Sequence, residues 1–120
     1  MSDKFCVMLT CAKNDTDKST VAFVIANAAL GSEKDTTVFL STEGVQLSQK
    51  GYSDDIHEEG FLPLKELMDN FAEAGGSILV CAPCFRKRGL DEDNLVDGAR
   101  IVGGAVLVEL LSDGTPCVSY

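Results

Sequence analysis

The chain has 120 residues, 45% of them hydrophobic and 24% charged, which fits one compact globular domain over residues 1–120 and excludes a disordered chain. A formal net charge of −9 argues against a nucleic-acid or anionic-membrane surface, because phosphate recognition needs clustered Lys and Arg. No run approaches the roughly 20 apolar residues of a membrane span, and the apolar run Phe5 to Leu9 is too short for a secretory signal core. These features predict a cytoplasmic protein with reduced thiols and no membrane or nucleic-acid partner.

In chain order, Phe5 to Thr10 reads as a short buried strand that runs into the polar loop Lys13-Asn14-Asp15-Thr16. Asp17 or Ser19 then caps a helix whose apolar positions Val21, Val24, Ile25, Ala28 and Ala29 recur at helical spacing and which Gly31 ends. Alanines 22, 26, 28 and 29 allow that helix to approach a sheet closely. Thr36 to Leu40 is a second strand, followed by the loop Ser41-Thr42-Glu43-Gly44 and a short helix within Val45 to Gly51. The acidic stretch Tyr52 to Gly60 reads as a loop or flap.

Phe61 to Ala74 shows an amphipathic helix, with Leu64, Leu67, Met68 and Phe71 on one face and Gly75-Gly76 closing it. Ile78-Leu79-Val80 is the continuous apolar run of a strand covered on both faces. After it come Cys81-Ala82-Pro83-Cys84 and the basic run Arg86-Lys87-Arg88. Leu90 to Asp93 reads as a turn and cap before a short helix through Leu95 to Ala99. Ile101-Val102 is a further strand, Ala105 to Leu111 a helix, and Pro116 to Tyr120 a last strand. Strands alternating with helices predict a single-domain, three-layer α/β fold around a five-stranded, mostly parallel sheet.

The five cysteines are Cys6, Cys11, Cys81, Cys84 and Cys117, and their odd number and uneven spacing do not make a disulfide framework. Cys6 and Cys117, each in an apolar run, read as small core residues, and Cys11 as a core residue near a strand end. Ligands in open α/β sheets bind beyond the carboxyl ends of the strands. Cys11, the loop Thr42, Glu43 and Gly44, and Cys81 are all expected at that edge. Cys81 is the leading candidate for chemistry, with Cys84 as its partner. It stands at a strand-to-helix switch, a second thiol follows three positions on, and the basic run nearby favours a thiolate.

A buried, inert cysteine is the plain alternative for Cys81, and Cys84 can equally pack against the core. A structural zinc site normally needs four ligands, and only scattered cysteines and His57 remain to complete one, so metal is the weaker reading. Dithiol exchange of the thioredoxin type shares the motif, but that fold places it after an early strand. Gly103-Gly104 lacks phosphate-loop spacing and its Lys, and no cofactor is expected. His57 reads as a surface residue of the acidic loop.

Taken in order, these segments resemble the DsrE/DsrF-like family over nearly the whole chain. The resemblance lies in the Asp17-Lys18 helix start, the Ala-rich helix from Ala22 to Leu30, Val38-Phe39-Leu40 and Thr42-Glu43-Gly44-Val45. It continues through the helix Leu64 to Gly75, through Val80-Cys81 and Arg88-Gly89-Leu90, and along Gly98-Ala99 to Val118-Ser119-Tyr120. The family implies a five-stranded, mostly parallel sheet and homo-oligomers, often trimers or hexamers. In its sulfur-carrying members the cysteine matching Cys81 holds sulfane sulfur as a persulfide and passes it between donor and acceptor proteins. Relay subunits commonly carry a small apolar residue where this chain has Cys84, and that departure suits a redox-coupled donor or a thiol reductase. The resemblance thus implies a sulfur carrier or sulfurtransferase-like protein. A C-x-x-C dithiol oxidoreductase and a non-enzymatic oligomeric binding protein are the competing readings.

Overall fold

Residues 3–120 are described by a computed structural model. Five strands, β1 (Lys4–Leu9), β2 (Asp35–Leu40), β3 (Ser77–Cys81), β4 (Ala99–Val102) and β5 (Cys117–Ser119), form one sheet in the order β4-β3-β2-β1-β5. Every pairing is parallel, so the sheet is wholly parallel. Four α-helices connect the strands: α1 (Thr16–Gly31), α2 (Leu64–Glu73), α3 (Ala82–Lys87) and α4 (Gly104–Ser112). No helix among the described residues is long and apolar enough to cross a membrane.

The order of the strands explains the layers. From β1 to β4 the chain steps in one direction, then β5 returns to the far side of β1. Right-handed crossovers place the connections of the forward steps on one face and that of the return step on the other. Side chains alternate across the strands accordingly. Val7, Leu9, Val38, Leu40, Ile78 and Val80 join the larger core with Phe23, Phe71, Leu64 and Leu67 from α1 and α2. On the opposite face, Phe39, Leu79 and Val102 form a small cluster covered by Val106 and Leu107 of α4.

α1 buries Ser19, Thr20, Ala22, Phe23, Ala26 and Ala29. The stripe expected from Val21, Val24 and Ile25 is only partly buried, and Ala28 is exposed. Phe23 decides the rotation of the helix, because its ring meets Phe71 edge-on at 5.8 Å and 80°. Asn27 strengthens the same contact, its Nδ2 donating to the carbonyls of Phe23 at 2.9 Å and Leu67 at 3.0 Å. The N-cap is Asp15 in place of Asp17 or Ser19, and its carboxylate accepts from the Lys18 N–H at 3.0 Å. Ser19 is buried, donating to the carbonyls of Ala12 and Asp15.

Two connections depart from expectation. A 3-10 helix occupies Thr42–Ser48, earlier than the helix expected within Val45 to Gly51. No helix forms through Leu95 to Ala99. There the Val96 N–H donates to the Ser48 carbonyl at 2.8 Å, the Lys50 N–H donates to Asn94 O at 3.0 Å, and Leu95 bridges antiparallel to Gln49. The Gln49 amide completes the lock, donating to the Asp91 carbonyl and accepting from the Asp91 N–H. These long-range bonds take the backbone groups that a local helix needs. α2 likewise starts at Leu64 and not Phe61, because Pro63 takes the N-cap and the Leu64 N–H donates to Ile56 O at 3.0 Å.

Candidate functional site

Cys81 ends β3 and is the residue that precedes the first turn of α3, with Pro83 inside that turn. Proline suits this position, where its missing N–H has no helical partner to lose. Alternation turns Leu79 and Cys81 toward the α4 side of the sheet, and Cys81 packs against the small cluster there as well as the edge of the main core. Its sulfur is partly buried. Burial pushes the Cys81 thiol above its ordinary value of 9.0, a rise that the nearby backbone of Cys84 opposes. The neighbouring Cys84 thiol adds to the rise, and Arg86 supplies a weaker pull toward the thiolate. Desolvation wins, against the expectation that the basic run makes Cys81 a ready thiolate.

The basic run is turned to another purpose. Arg88 donates from Nε to Glu43 Oε1 at 2.8 Å and from Nη1 to the Cys84 carbonyl at 3.1 Å. It thereby fastens α3 to the 3-10 segment Thr42–Ser48, against which α3 packs. Glu43 is the residue of the expected Thr42-Glu43-Gly44 cluster that reaches the cysteine helix, and Arg88 is the residue that sequence reasoning misjudged. The one available signal was the spacing of Arg88 from Cys84, one helical turn.

The rest of the expected cluster meets at the carboxyl end of β1. Thr42 has φ 49, a left-handed conformation that is strained for a β-branched residue. Its hydroxyl donates to the Thr10 carbonyl at 2.8 Å, and the Gly44 N–H donates to the same carbonyl at 3.2 Å. Gly44 lies so close to β1 that a Cβ there meets the Leu9 carbonyl oxygen at 2.3 Å. Cys11 is partly buried, its sulfur 3.8 Å from the Thr10 hydroxyl. Cys11, Thr42, Glu43 and Gly44 thus gather at one edge of the sheet, and Arg88 links that edge to Cys84.

Strand order reverses between β1 and β5, the place where open α/β sheets offer a crevice. Here the β1–β5 ladder continues past Ser119. Thr10 donates from both N–H and hydroxyl to the Tyr120 carbonyl, at 3.0 and 2.9 Å, and the Tyr120 N–H donates to Met8 O at 2.8 Å. A cleft of about 260 Å³ opens elsewhere, between Lys50, Ser53, Asp54, Lys65 and Asp97, and it holds none of the predicted site residues. No group of three or more His, Cys, Asp or Glu with metal-site geometry occurs among the described residues. His57 bonds through Nε2 to Phe61 O at 2.8 Å, a contact within its own loop.

Of the two cysteines read as core residues in apolar runs, Cys6 is fully buried. Cys117 is exposed instead, because β5 is the outermost strand of the sheet, a placement no local pattern encodes.

Comparison with known proteins agrees with this architecture. Uncharacterized protein MJ0760 of Methanocaldococcus jannaschii is 29% identical over 110 residues, and the chain spans 40% of that relative's length. Uncharacterized protein MJ0989 of the same organism is 28% identical over 117 residues, covering 98% of this chain and 99% of its own. Among solved structures, the ychN protein from E. coli superposes with a TM-score of 0.74 at 16% identity, covering 98% of this chain and 99% of that one, which is a likeness of fold. The sequence pattern of the DsrE/DsrF-like family matches residues 3–119, and the chain belongs to that family.

Proposed function

We propose that the protein carries sulfane sulfur as a persulfide on Cys81 and that Cys84 discharges it. The observation that supports this reading is the placement of two thiols at the strand-to-helix switch, Cys81 at the end of β3 and Cys84 in the first turn of α3, both partly buried and close enough to influence each other's charge. A donor protein's persulfide transfers its outer sulfur to Cys81, leaving the donor as a thiol and Cys81 as the persulfide. Release follows either of two balanced routes. An acceptor thiol takes the outer sulfur and regenerates the Cys81 thiol. Alternatively, Cys84 attacks the inner sulfur, the S–S bond to the outer sulfur breaks, and hydrogen sulfide leaves with a Cys81–Cys84 disulfide behind it. The second route needs a dithiol reductant for turnover. Partial burial suits a carrier, because it shields the persulfide from solvent thiols between partners.

The test is mass spectrometry after incubation with a small persulfide donor. One added sulfur is expected on Cys81, persisting longer in Cys84→Ser than in the wild type and absent from Cys81→Ser. No added sulfur in the wild type or in Cys84→Ser overturns the proposal. The dithiol oxidoreductase reading rests on the same pair of neighbouring thiols. It is favoured instead if the Cys81–Cys84 disulfide forms and turns over while no sulfur is ever retained.

We further infer that a second copy of this chain covers α4. Its nine residues include Val106, Leu107, Val108, Leu110 and Leu111 with a single charge, Glu109, yet none is fully buried and Val108 is 63% exposed. A surface with so little charge matches itself better than it matches a charged partner. Light scattering is expected to show a homo-oligomer, a trimer or hexamer, that Val108→Glu dissociates; a monomer at all concentrations refutes this.

A further inference from the structure

Outside the Cys81–Cys84 pair, two more thiols stand side by side. Cys6 in β1 and Cys117 in β5 are register partners across parallel strands, pinned by the Cys6 N–H donating to the Pro116 carbonyl at 2.9 Å. Partners in register project to the same face, and parallel neighbours lie about 4.8 Å apart. That spacing falls within the roughly 4.4–6.8 Å between Cα atoms that a disulfide spans, and its Cβ atoms must close to about 3.5–4.5 Å, a small approach that the three-residue edge strand β5 has to make. The two thiols differ in access. Cys6 has no exposed surface, whereas Cys117 is open to solvent on the edge strand.

We propose that Cys6 and Cys117 form a second redox site, independent of Cys81, which closes as a disulfide across β1 and β5 by exchange with a small disulfide such as oxidised glutathione. Cys117 is the entry thiol. It loses its proton and attacks one sulfur of the small disulfide, whose S–S bond breaks to release one glutathione thiol and leave Cys117 joined to the other. Cys6 then loses its proton and attacks the Cys117 sulfur, releasing the second glutathione thiol. In balance, two protein thiols are oxidised and one glutathione disulfide is reduced to two thiols. The second step is the slow one, because burial and the Cys117 sulfur push the Cys6 thiol up to about 12.

The product ties the outermost strand β5 to its neighbour β1 and closes most of the chain into one loop. Cross-links that close long loops constrain the unfolded chain most, so the oxidised protein is expected to unfold several degrees higher than the reduced one.

The full chain carrying Cys81→Ser and Cys84→Ser isolates this pair from the other. After incubation with oxidised glutathione, thiol trapping and non-reducing proteolysis, mass spectrometry is expected to find peptides containing Cys6 and Cys117 joined. Cys6→Ser in the same background is expected to stop at a stable glutathione adduct on Cys117. The wild type, mapped in the same way, gives the same cross-link without relying on the folding of the variants. A Cys117 adduct that never resolves, or Cys117 joined only to Cys11 or to a second molecule, overturns the proposal. Neither outcome bears on whether Cys81 accepts sulfur.

Discussion

Gly44→Ala is the sharpest test of how the site is held. The added Cβ sits 2.3 Å from the Leu9 carbonyl oxygen, 3.1 Å from the Leu9 carbonyl carbon and 3.5 Å from the Cys11 carbonyl oxygen. All three contacts are backbone of β1 and its exit, so no side chain can swing away. Relief requires the start of the 3-10 segment to move off β1 by about 1 Å, and overpacking of this kind costs about 1–3 kcal/mol. The same movement stretches the Gly44 N–H and Thr42 hydroxyl bonds to Thr10 O, each worth about 1 kcal/mol. A total of about 2–5 kcal/mol follows. At about 4 °C per kcal/mol for a chain of this length, the unfolding midpoint is expected to fall by about 8–20 °C.

Calorimetry or thermal circular dichroism reads that shift, with Gly104→Ala as the control. A Cβ at Gly104 meets nothing within 4 Å, and its φ is not left-handed, so the control is expected to be neutral or slightly stabilising. Displacing the segment also draws Glu43 away from Arg88, loosening α3. Faster alkylation of Cys84 is therefore expected in Gly44→Ala. An unfolding midpoint within 1–2 °C of the wild type (about 0.5 kcal/mol) would falsify the close packing of Gly44 on β1.

Two pH dependences follow from the thiols. Burial raises the Cys81 pKa, so its capture by iodoacetamide is expected to rise about tenfold per pH unit through neutrality, with a midpoint above that of a free cysteine. A midpoint below the free value, read by peptide mass spectrometry in native buffer, means that Cys84, Arg86 or a neighbour outweighs desolvation. Cys6 is raised from 9.0 to about 12, so between those values the folded chain keeps a proton that the unfolded chain has lost. Stability then falls with rising pH over that window, by up to about 1.4 kcal/mol per pH unit. Cys6→Ala is expected to flatten that part of a urea-unfolding series, and an unchanged slope refutes it.

The fold was legible because each strand announces itself locally. Ile78-Leu79-Val80 is apolar on both faces, and the helix around Leu64, Leu67, Met68 and Phe71 has a clear period. What could not be read depends on distant partners. Leu95-Val96 looks like the start of a helix, but Ser48 and Gln49, far back in the sequence, take its backbone bonds. Cys117 sits in an apolar run, yet strand order makes that run the sheet edge. The position of Cys81 at a strand end was readable from sequence, whereas its electrostatics were not. Arg88 lies close in sequence but turns to Glu43, leaving Arg86 as a minor influence on a sulfur governed by burial.

That burial has a further consequence for the proposed carrier. Cys81 faces the α4 side of the sheet, where the cover consists of Val106 and Leu107 of a helix with no fully buried residue. An apolar partner seated on α4 withdraws more water from this face, which raises the cost of a thiolate at Cys81 and slows sulfur uptake. A persulfide ionises more readily than a thiol and suffers less from the same cover at neutral pH. If Cys81 carries sulfur and α4 is covered as proposed, assembly opposes loading more than it opposes holding. On the proposed reading, a donor protein that brings positive charge to the β3 end eases loading, because Glu43 occupies Arg88 and Arg86 pulls only weakly on the sulfur. With a net charge of −9, the field of this chain draws such a basic donor toward it.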